Sequence, residues 1–221
     1  MAGEGSPLRT LAGPGAAVLD VRRSKFLAYA RPLPDDPDTL RRWLGEIRGR
    51  HPDAGHVVYG WRGTGEQRRG SDDGEPHGTG ARPCQDALIN ADVRLAAVAV
   101  ARIFGGTLLG AGNLGRAYGE AARVAISVAG VRSLVAHVEL RVWARFTDLA
   151  AVERAIRAGA SQEVRRSPDA SGVECTLWVP QDRAEALRTG LQERTAGRIR
   201  VSLGQELRWL PGAQDPGGSS S

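Results

Sequence analysis

Two stretches that are rich in glycine and charge hold the side chains most able to do chemistry. The first, loop 1 (residues 71–82, SDDGEPHGTGAR), carries three carboxylates in four residues, at Asp72, Asp73 and Glu75. Carboxylate oxygens hold hard cations such as Ca²⁺ and Mg²⁺. The same residues also suit an acidic turn, in which Asp begins the turn and Gly takes a positive φ. The sequence alone leaves both interpretations open.

The second stretch, loop 2 (residues 105–116, GGTLLGAGNLGR), precedes the longest predicted helix. Gly110, Gly112 and Gly115 match the pattern G-x-G-x-x-G of dinucleotide-binding folds. That fingerprint opens directly from a strand and has an acidic residue about 20 positions further on, and neither condition is met here. A phosphate-containing ligand at the helix N-terminus beside Arg116 remains one interpretation, and close packing of glycines against a strand is the other.

The remaining polar residues indicate binding rather than catalysis. Arg82, Arg102 and Arg116 are expected either to flank one cleft and attract phosphate or to pair with the acids of loop 1. His56 lies on an apolar strand, where a histidine satisfied in the core and a ligand are both possible. The sequence has no histidines or cysteines at metal-binding spacing and no nucleophile with a recognisable base. We therefore expect no metal and no cofactor, and we favour a binding protein over an enzyme.

Composition limits the class of protein. The chain has 221 residues, of which 41% are hydrophobic and 25% are charged, as in ordinary globular domains. Its net charge of +5 permits affinity for nucleic acid without establishing it. No apolar run reaches the roughly 18 residues of a membrane span, and the N-terminal residues do not resemble a signal peptide. We expect a cytoplasmic protein, with no membrane partner and with Cys84 and Cys175 reduced.

The order of predicted elements indicates an α+β protein of two domains. Strands are predicted at residues 16–22, 25–31, 56–61 and 95–104, the last as a continuous apolar run, and helices at 38–50, 83–91 and 113–129. Asp36 or Asp38 is expected to cap the first helix, and residues 62–82 are expected to form a loop. The third helix is expected to bury an apolar stripe of Leu114, Ala117, Tyr118, Ala121, Val124, Ala125 and Val128. From residue 134 the pattern becomes β-α-β-β-α-β, with its first helix at 148–158 and its second strand at 161–166, which is the ferredoxin-like arrangement. We predict a disordered segment at 1–14, domains at 15–132 and 133–210, and a disordered tail at 211–221.

The motifs in the two loops resemble those of the IMPACT/YigZ family. Its pattern SDDGEPxGTAGxP corresponds to loop 1, and its R-Y/F-F/Y-G-G-x-x-L-G-x-G-G-L-x-x-A-Y corresponds to the end of the apolar strand and loop 2. Ser24-Lys25-Phe26 matches a further family segment, and His56 matches the histidine of a family strand. There are three departures from the family pattern: Gly80-Ala81 replaces Ala-Gly, Asn113 replaces a glycine, and Val58 replaces a cysteine. The first two keep backbone freedom, and the third means that the family's strand cysteine cannot be essential chemistry in this protein.

The resemblance implies a fold for each domain and a general functional class. The first domain should have the left-handed β-α-β fold of a ribosomal protein and elongation factor G, and the second a ferredoxin-like fold. Eukaryotic relatives regulate translation, so we expect RNA, the ribosome or a translation factor as partner. A phosphorylated metabolite or nucleotide bound in the same cleft is the alternative. The expected binding residues are Ser71, Asp72, Asp73, Gly74, Glu75, Pro76, Gly78, Thr79 and Arg82 in loop 1, and Arg102, Gly105, Gly106, Gly110, Gly112, Asn113 and Arg116 at loop 2, with Lys25 and His56 beside them.

Overall fold

The chain folds into two units that are each built on one antiparallel sheet. The computed structural model describes residues 7–155 and 164–211. Contacts divide the chain into Arg9–Arg132 and a second unit that runs from Ser133 and includes the first eight residues. The α+β class expected from the sequence is confirmed. Among the described residues, no helix combines the length and the hydropathy that crossing a bilayer requires.

The first unit places one helix on one face of its sheet and two on the other. The strand order is β2-β3-β6-β4-β5, with every pair antiparallel. The strand β6 lies at the centre and is buried on both faces, as its continuous apolar run predicts. The elements of this unit are β1 (Leu8–Leu11), β2 (Gly15–Val21), β3 (Ser24–Pro32), α1 (Pro37–Arg50), β4 (His56–Arg62), β5 (Arg68–Ser71), α2 (Ala81–Asn90), β6 (Ala96–Ile103) and α3 (Ala111–Ala129).

Two apolar layers fix these helices on the sheet. Leu40, Trp43 and Ile47 of α1 pack on one face, where Trp61 of β4 is fully buried. The helices α2 and α3 cover the other face, where Tyr118 and Phe26 meet edge to face with ring centroids 5.0 Å apart. The N-terminus of α1 is closed by its Asp36 cap, whose carboxylate accepts hydrogen bonds from two backbone amides of the first turn.

The strands β3 and β4 flank β6 and both run antiparallel to it, so they are parallel to each other. The helix α1 makes the crossover between them. The left hand of this β-α-β unit stays a prediction from the resemblance.

Three local expectations for the first unit are wrong. Residues 8–11 form β1 instead of disorder, because Leu11 is buried in the core and Thr10 Oγ1 donates to the Leu95 carbonyl. Residues 68–71, expected within a loop, form β5 by pairing with β4. The apolar stripe expected on α3 is buried at Leu114, Ala117, Tyr118, Ala121 and Ala125, but its last member is wrong, because Val128 is 61% exposed and Ile126 is buried instead.

The second unit has the strand order of a ferredoxin-like domain. Its sheet runs β10-β7-β9-β8 with antiparallel neighbours, in a chain order of β-α-β-β-α-β. Parts of the predicted helix at 148–158 and strand at 161–166 lie outside the described residues, as do the terminal segments 1–6 and 212–221. The elements are β7 (Val131–Ala144), a 3-10 turn (Phe146–Asp148), α4 (Leu149–Ala155), β8 (Val164–Pro168), β9 (Val173–Pro180), α5 (Gln181–Arg194) and β10 (Arg200–Pro211).

Candidate functional site

Both loops lie at one end of the first unit. The strand β6 ends there and β3 and β4 begin there, since Phe26, Arg102 and His56 are partners in the sheet register. Loop 2 leaves the sheet directly after β6, and loop 1 folds back from β5 to lie beside His56. The helices α2 and α3 begin at this end as well. We call this region the loop end.

Asp72 is used to close the N-terminus of α2. Its Oδ1 accepts hydrogen bonds from the backbone N–H of Gly80 at 2.9 Å and of Ala81 at 2.8 Å, and its Oδ2 accepts one from Gly78 at 2.9 Å. The N-cap residue of α2, Gly80, has no side chain that could accept these hydrogen bonds. Burial raises the pKa of Asp72, but the three amide bonds and the nearby His77 together hold it below its ordinary value.

Asp73 and Ser71 are also occupied within the protein. The Asp73 carboxylate pairs with Arg48 of α1 at 2.6 Å and accepts from the Val57 amide at 2.7 Å. The Asp73 amide donates to Ser71 Oγ at 3.1 Å, and His56 Nδ1 donates to the Asp73 carbonyl at 2.6 Å. Asp73 takes a φ of +48° here, next to Gly74 at +87°. His56 is therefore a satisfied structural histidine under loop 1.

Glu75 anchors loop 1 to the elements on either side of loop 2. Its side chain is 4% exposed, and its Oε1 accepts from Arg102 Nη1 at 2.8 Å and from the Tyr118 hydroxyl at 2.6 Å. The Arg102 guanidinium lies over the rings of Phe26 and Phe104. Burial, followed by the adjacent Glu75 carboxylate, raises the pKa of Tyr118 far above its usual range. The hydroxyl therefore remains a hydrogen-bond donor.

This pairing corrects one expectation for Arg102. The sequence allowed it to face a phosphate in an open cleft, but its side chain is buried and bound to Glu75. The alternative of pairing with an acid of loop 1 is the one observed. Arg82 is exposed and lies 3.8 Å from Asp86 of the next helical turn, and Arg116 is also exposed.

Loop 2 depends on close backbone approach to the β2–β3 turn. A Cβ on Gly105 would lie 2.0 Å from the Arg23 carbonyl oxygen, so only glycine fits there. The Gly105 amide donates to Ser24 Oγ at 3.3 Å, and Gly106 and Gly110 have φ angles of +81° and +74°. Gly112 meets no neighbour that would exclude a side chain.

Asn113 has a role different from the expected turn with positive φ. It lies in the first turn of α3, where its side-chain amide donates to the Leu109 carbonyl at 2.9 Å. Its Oδ1 accepts from Arg116 Nη2 at 2.9 Å. Asn113 therefore ties the start of α3 to the end of loop 2. Of the other predicted residues, Thr79 is buried and bonded to the Pro76 carbonyl, whereas Lys25 and Pro76 are exposed.

The β2–β3 turn adds two residues that sequence reasoning missed. Arg22 and Arg23 form a two-residue connection with φ angles of +45° and +72°, as in a type I′ hairpin. Both side chains are exposed, and Arg23 lies beside Gly105 of loop 2. Asn-Gly is the usual sequence of such a turn, so an Arg-Arg pair does not predict it. The only available signal was a two-residue gap between alternating segments.

Two apolar side chains are exposed in loop 2 and directly before it. Phe104, which precedes the loop, is 52% exposed, and Leu108 within it is 84% exposed. The loop end therefore presents basic and apolar groups outward, while the three carboxylates of loop 1 are engaged within the protein.

The groups described above do not favour nucleophilic catalysis or metal binding. Burial raises the pKa of the Cys84 thiol well above its normal range, which keeps it protonated. Within residues 7–155 and 164–211, no cluster of His, Cys, Asp and Glu has the arrangement of a metal site. The geometry at the loop end is that of a supported contact surface.

Comparison with known proteins agrees with this architecture. Residues 22–126 match the model of the Impact N-terminal domain. The chain is 38% identical over 183 residues to a Thermus thermophilus protein called "IMPACT family member in pol 5'region", an alignment that covers 82% of this chain and 98% of that protein. The chain belongs to the IMPACT family.

Two further comparisons bear on this family member. It is 33% identical over 112 residues to the IMPACT family member YigZ of Escherichia coli, covering 49% of this chain and 54% of that protein. A crystal structure described as that of a hypothetical protein superposes with a TM-score of 0.69, at 23% identity, covering 90% of this chain and 98% of that one. The second likeness shows the fold alone. At the level of the family, membership supports a translation-related regulatory role.

Proposed function

We propose that this IMPACT family member is a cytoplasmic translation-associated regulator that binds single-stranded RNA through its loop end. Arg22 and Arg23 supply charge for phosphates, with Arg82 and Arg116 near the helix starts, and the exposed ring of Phe104 supplies a face for a base. Single-stranded RNA is recognised by this combination of cationic groups and aromatic stacking.

The conformation of the β2–β3 turn is the observation that carries the proposal. Non-glycine residues with positive φ cost about 1 kcal/mol each relative to glycine, and Arg22 and Arg23 both take it. Strain of this kind persists only where the surrounding structure enforces it, and it clusters at functional sites. Both side chains are exposed, and in the described part of the chain neither guanidinium pairs with a carboxylate, so both can meet phosphate.

The buried pair below the surface supports a fixed geometry. Phe104 lies over Arg102, whose guanidinium is 5.4 Å from the ring centroid and is held in turn by Glu75. A ring fixed from below loses little freedom when a base stacks on its open side.

The test replaces the strained turn with the sequence that suits it best. The double variant Arg22→Asn/Arg23→Gly removes two charges and relaxes the turn, so it should raise the free energy of unfolding by about 1 kcal/mol. Its affinity for a fluorescein-labelled single-stranded RNA should fall, and the slope of log K against log salt should decrease by roughly 1 to 1.5. Fluorescence anisotropy at several salt concentrations measures both.

The matched control is Arg41→Gln/Arg42→Gln, which removes the same charge from two exposed neighbouring arginines in the first half of α1, away from Arg48 and its loop 1 partner Asp73. It should keep the affinity for RNA. Equal losses in both variants would reduce the effect to net charge and contradict the proposed surface. Capture of a translation factor by a chain that binds no RNA would also contradict it.

The alternative function, binding of a phosphorylated small ligand, has less support because one of the arginines expected to contact the phosphate is not available. Arg102, which would have faced the phosphate, is bound to Glu75. The uncapped start of α3 at Gly110 remains, with Arg116 nearby. A rise in melting temperature with inorganic phosphate or ATP, at concentrations where RNA binding is unchanged, would favour this alternative.

A further inference from the structure

The strand β2 is the outer strand of the first sheet, and its hydrogen-bonding pattern follows from the turn that joins it to β3. In a two-residue hairpin the flanking residues, here Val21 and Ser24, exchange hydrogen bonds. Antiparallel pairs alternate, so Leu19 with Phe26 and Ala17 with Ala28 also exchange bonds.

Three residues of β2 therefore turn their backbone groups away from β3. Ala16, Val18 and Asp20 occupy the alternate positions, where N–H and C=O point to the open side of the strand. In the described part of the chain β2 pairs with β3 alone. The three side chains are exposed, and that of Val18, at the centre, is 63% exposed.

Of the devices that usually protect an outer strand, β2 itself carries only one charged side chain, Asp20 near its end. Proteins block such edges with proline, lysine, bulges or a covering segment. The sequence GAAVLDV contains neither proline nor lysine, and its register against β3 is continuous. An apolar strand of this length with free backbone groups is a template for a further strand.

We propose that β2 pairs with β2 of a second copy of this chain, antiparallel about a two-fold axis at Val18. Ala16, Val18 and Asp20 of each copy then give and receive backbone hydrogen bonds across the axis. Val18 meets Val18, Ala17 meets Leu19, and the two sheets join into one.

The side chains of β2 fit this self-pairing. A two-fold axis at Val18 places Asp20 opposite Ala16, so the acidic side chains do not face each other. Small Ala17 opposite larger Leu19 lets the two faces pack without a clash. A self-complementary patch is what an isologous dimer requires. One strand pair buries less than a standard interface, so we expect a dissociation constant in the micromolar range.

The test uses two valines of nearly equal exposure. Val18→Lys places a charge at the centre of the proposed contact, whereas Val128→Lys places one on α3, where the valine is 61% exposed. Sedimentation velocity over about a hundredfold range of concentration should show a monomer–dimer equilibrium for the unmodified chain and for Val128→Lys. Val18→Lys should weaken self-association at least tenfold while leaving the melting temperature nearly unchanged.

A second measurement locates the axis. Cys84 and Cys175 are buried and should react slowly, so cysteines introduced as Val18→Cys and Val128→Cys become the accessible thiols. A short bifunctional maleimide should link Val18→Cys into a covalent dimer and leave Val128→Cys monomeric. A chain that is monomeric throughout, a dimer that Val18→Lys does not weaken, or equal cross-linking at both positions would overturn the proposal.

Discussion

Loops 1 and 2 have the same length and are both rich in glycine, yet they use their side chains in opposite ways. In loop 1 the carboxylates of Asp72, Asp73 and Glu75 all bind groups of the protein itself. In loop 2 the backbone makes the close contact, at Gly105, and apolar side chains project outward at Leu108 and at Phe104, directly before the loop. Loop 1 is a structural loop whose side chains hold the loop end together. Loop 2 contributes side chains to the exposed surface of the loop end.

The difference follows from what each loop must satisfy. The amides at the start of α2 need acceptors, and a carboxylate supplies strong charge-assisted ones. Arg102 ends a strand that is buried on both faces, so it needs a carboxylate beside it. Loop 2 has no buried charge of its own to neutralise. Substitutions in loop 1 should therefore change stability, and those in loop 2 should change binding.

The largest effect is expected from Glu75. Glu75→Ala leaves Arg102 buried without its counter-charge and Tyr118 without its acceptor, which should cost about 3–5 kcal/mol of unfolding free energy. Denaturation in urea followed by tryptophan fluorescence measures the loss. Because this variant risks misfolding, Glu75→Leu/Arg102→Met is the companion: it removes both charges and should recover most of the stability. If the single and double variants were equally unstable, the charge pair would not be what holds the two loops together.

Sequence reasoning recovered the fold where patterns repeat and missed it where tertiary contacts decide. The apolar run of β6 is a local signal and was found, and Asp36 was one of the two residues expected to cap α1. The strand β5 reads Arg-Arg-Gly-Ser, which has no apolar alternation, and only its pairing with β4 makes it a strand. The stripe expected on α3 holds except in the last turn, where packing buries Ile126 and leaves Val128 exposed.

The candidate site divides in the same manner. The motifs identified the two loops, but they did not reveal which side chains face inward. Asp72 closes α2 from eight residues before Gly80, well outside the spacing of a capping box. Arg22 and Arg23 escaped notice because turn statistics favour Asn-Gly at their positions. Burial of a charge at the end of a strand, as at Arg102, depends on a loop that arrives from elsewhere in the chain.

An intermediate effect is expected from Asp72, and it should depend on pH. Asp72→Asn removes the charge that accepts three backbone amides, which should cost about 2 kcal/mol at neutral pH. The pKa of Asp72 is lower in the folded state than its ordinary value, so the unfolded chain binds the proton more readily. The stabilisation is therefore present above the unfolded pKa and is lost as pH falls through the folded one.

The unfolding free energies of the original chain and of Asp72→Asn should therefore approach each other at low pH. Urea titrations from neutral pH to about pH 3 measure this. Asp86→Asn is the control, because Asp86 is exposed and its neighbour Arg82 lies 3.8 Å away. Its difference from the original chain should stay within about 0.5 kcal/mol at every pH. A constant difference for Asp72→Asn across the range would show that shape, and not charge, is what α2 requires.

The smallest effect on stability is expected in loop 2, where the comparison is sharpest. Phe104→Ala and Leu108→Ser alter exposed side chains and should each change unfolding free energy by less than about 1 kcal/mol. The affinity of Phe104→Ala for single-stranded RNA should nevertheless fall about tenfold, since stacking on an aromatic ring contributes about 1–3 kcal/mol per base. Phe146, which is 55% exposed in the second unit, provides the matched control as Phe146→Ala. Suppose that Phe104→Ala bound RNA normally but unfolded as readily as Glu75→Ala. The region around loop 2 would then be structural as loop 1 is, and the proposed difference between the two loops would be wrong.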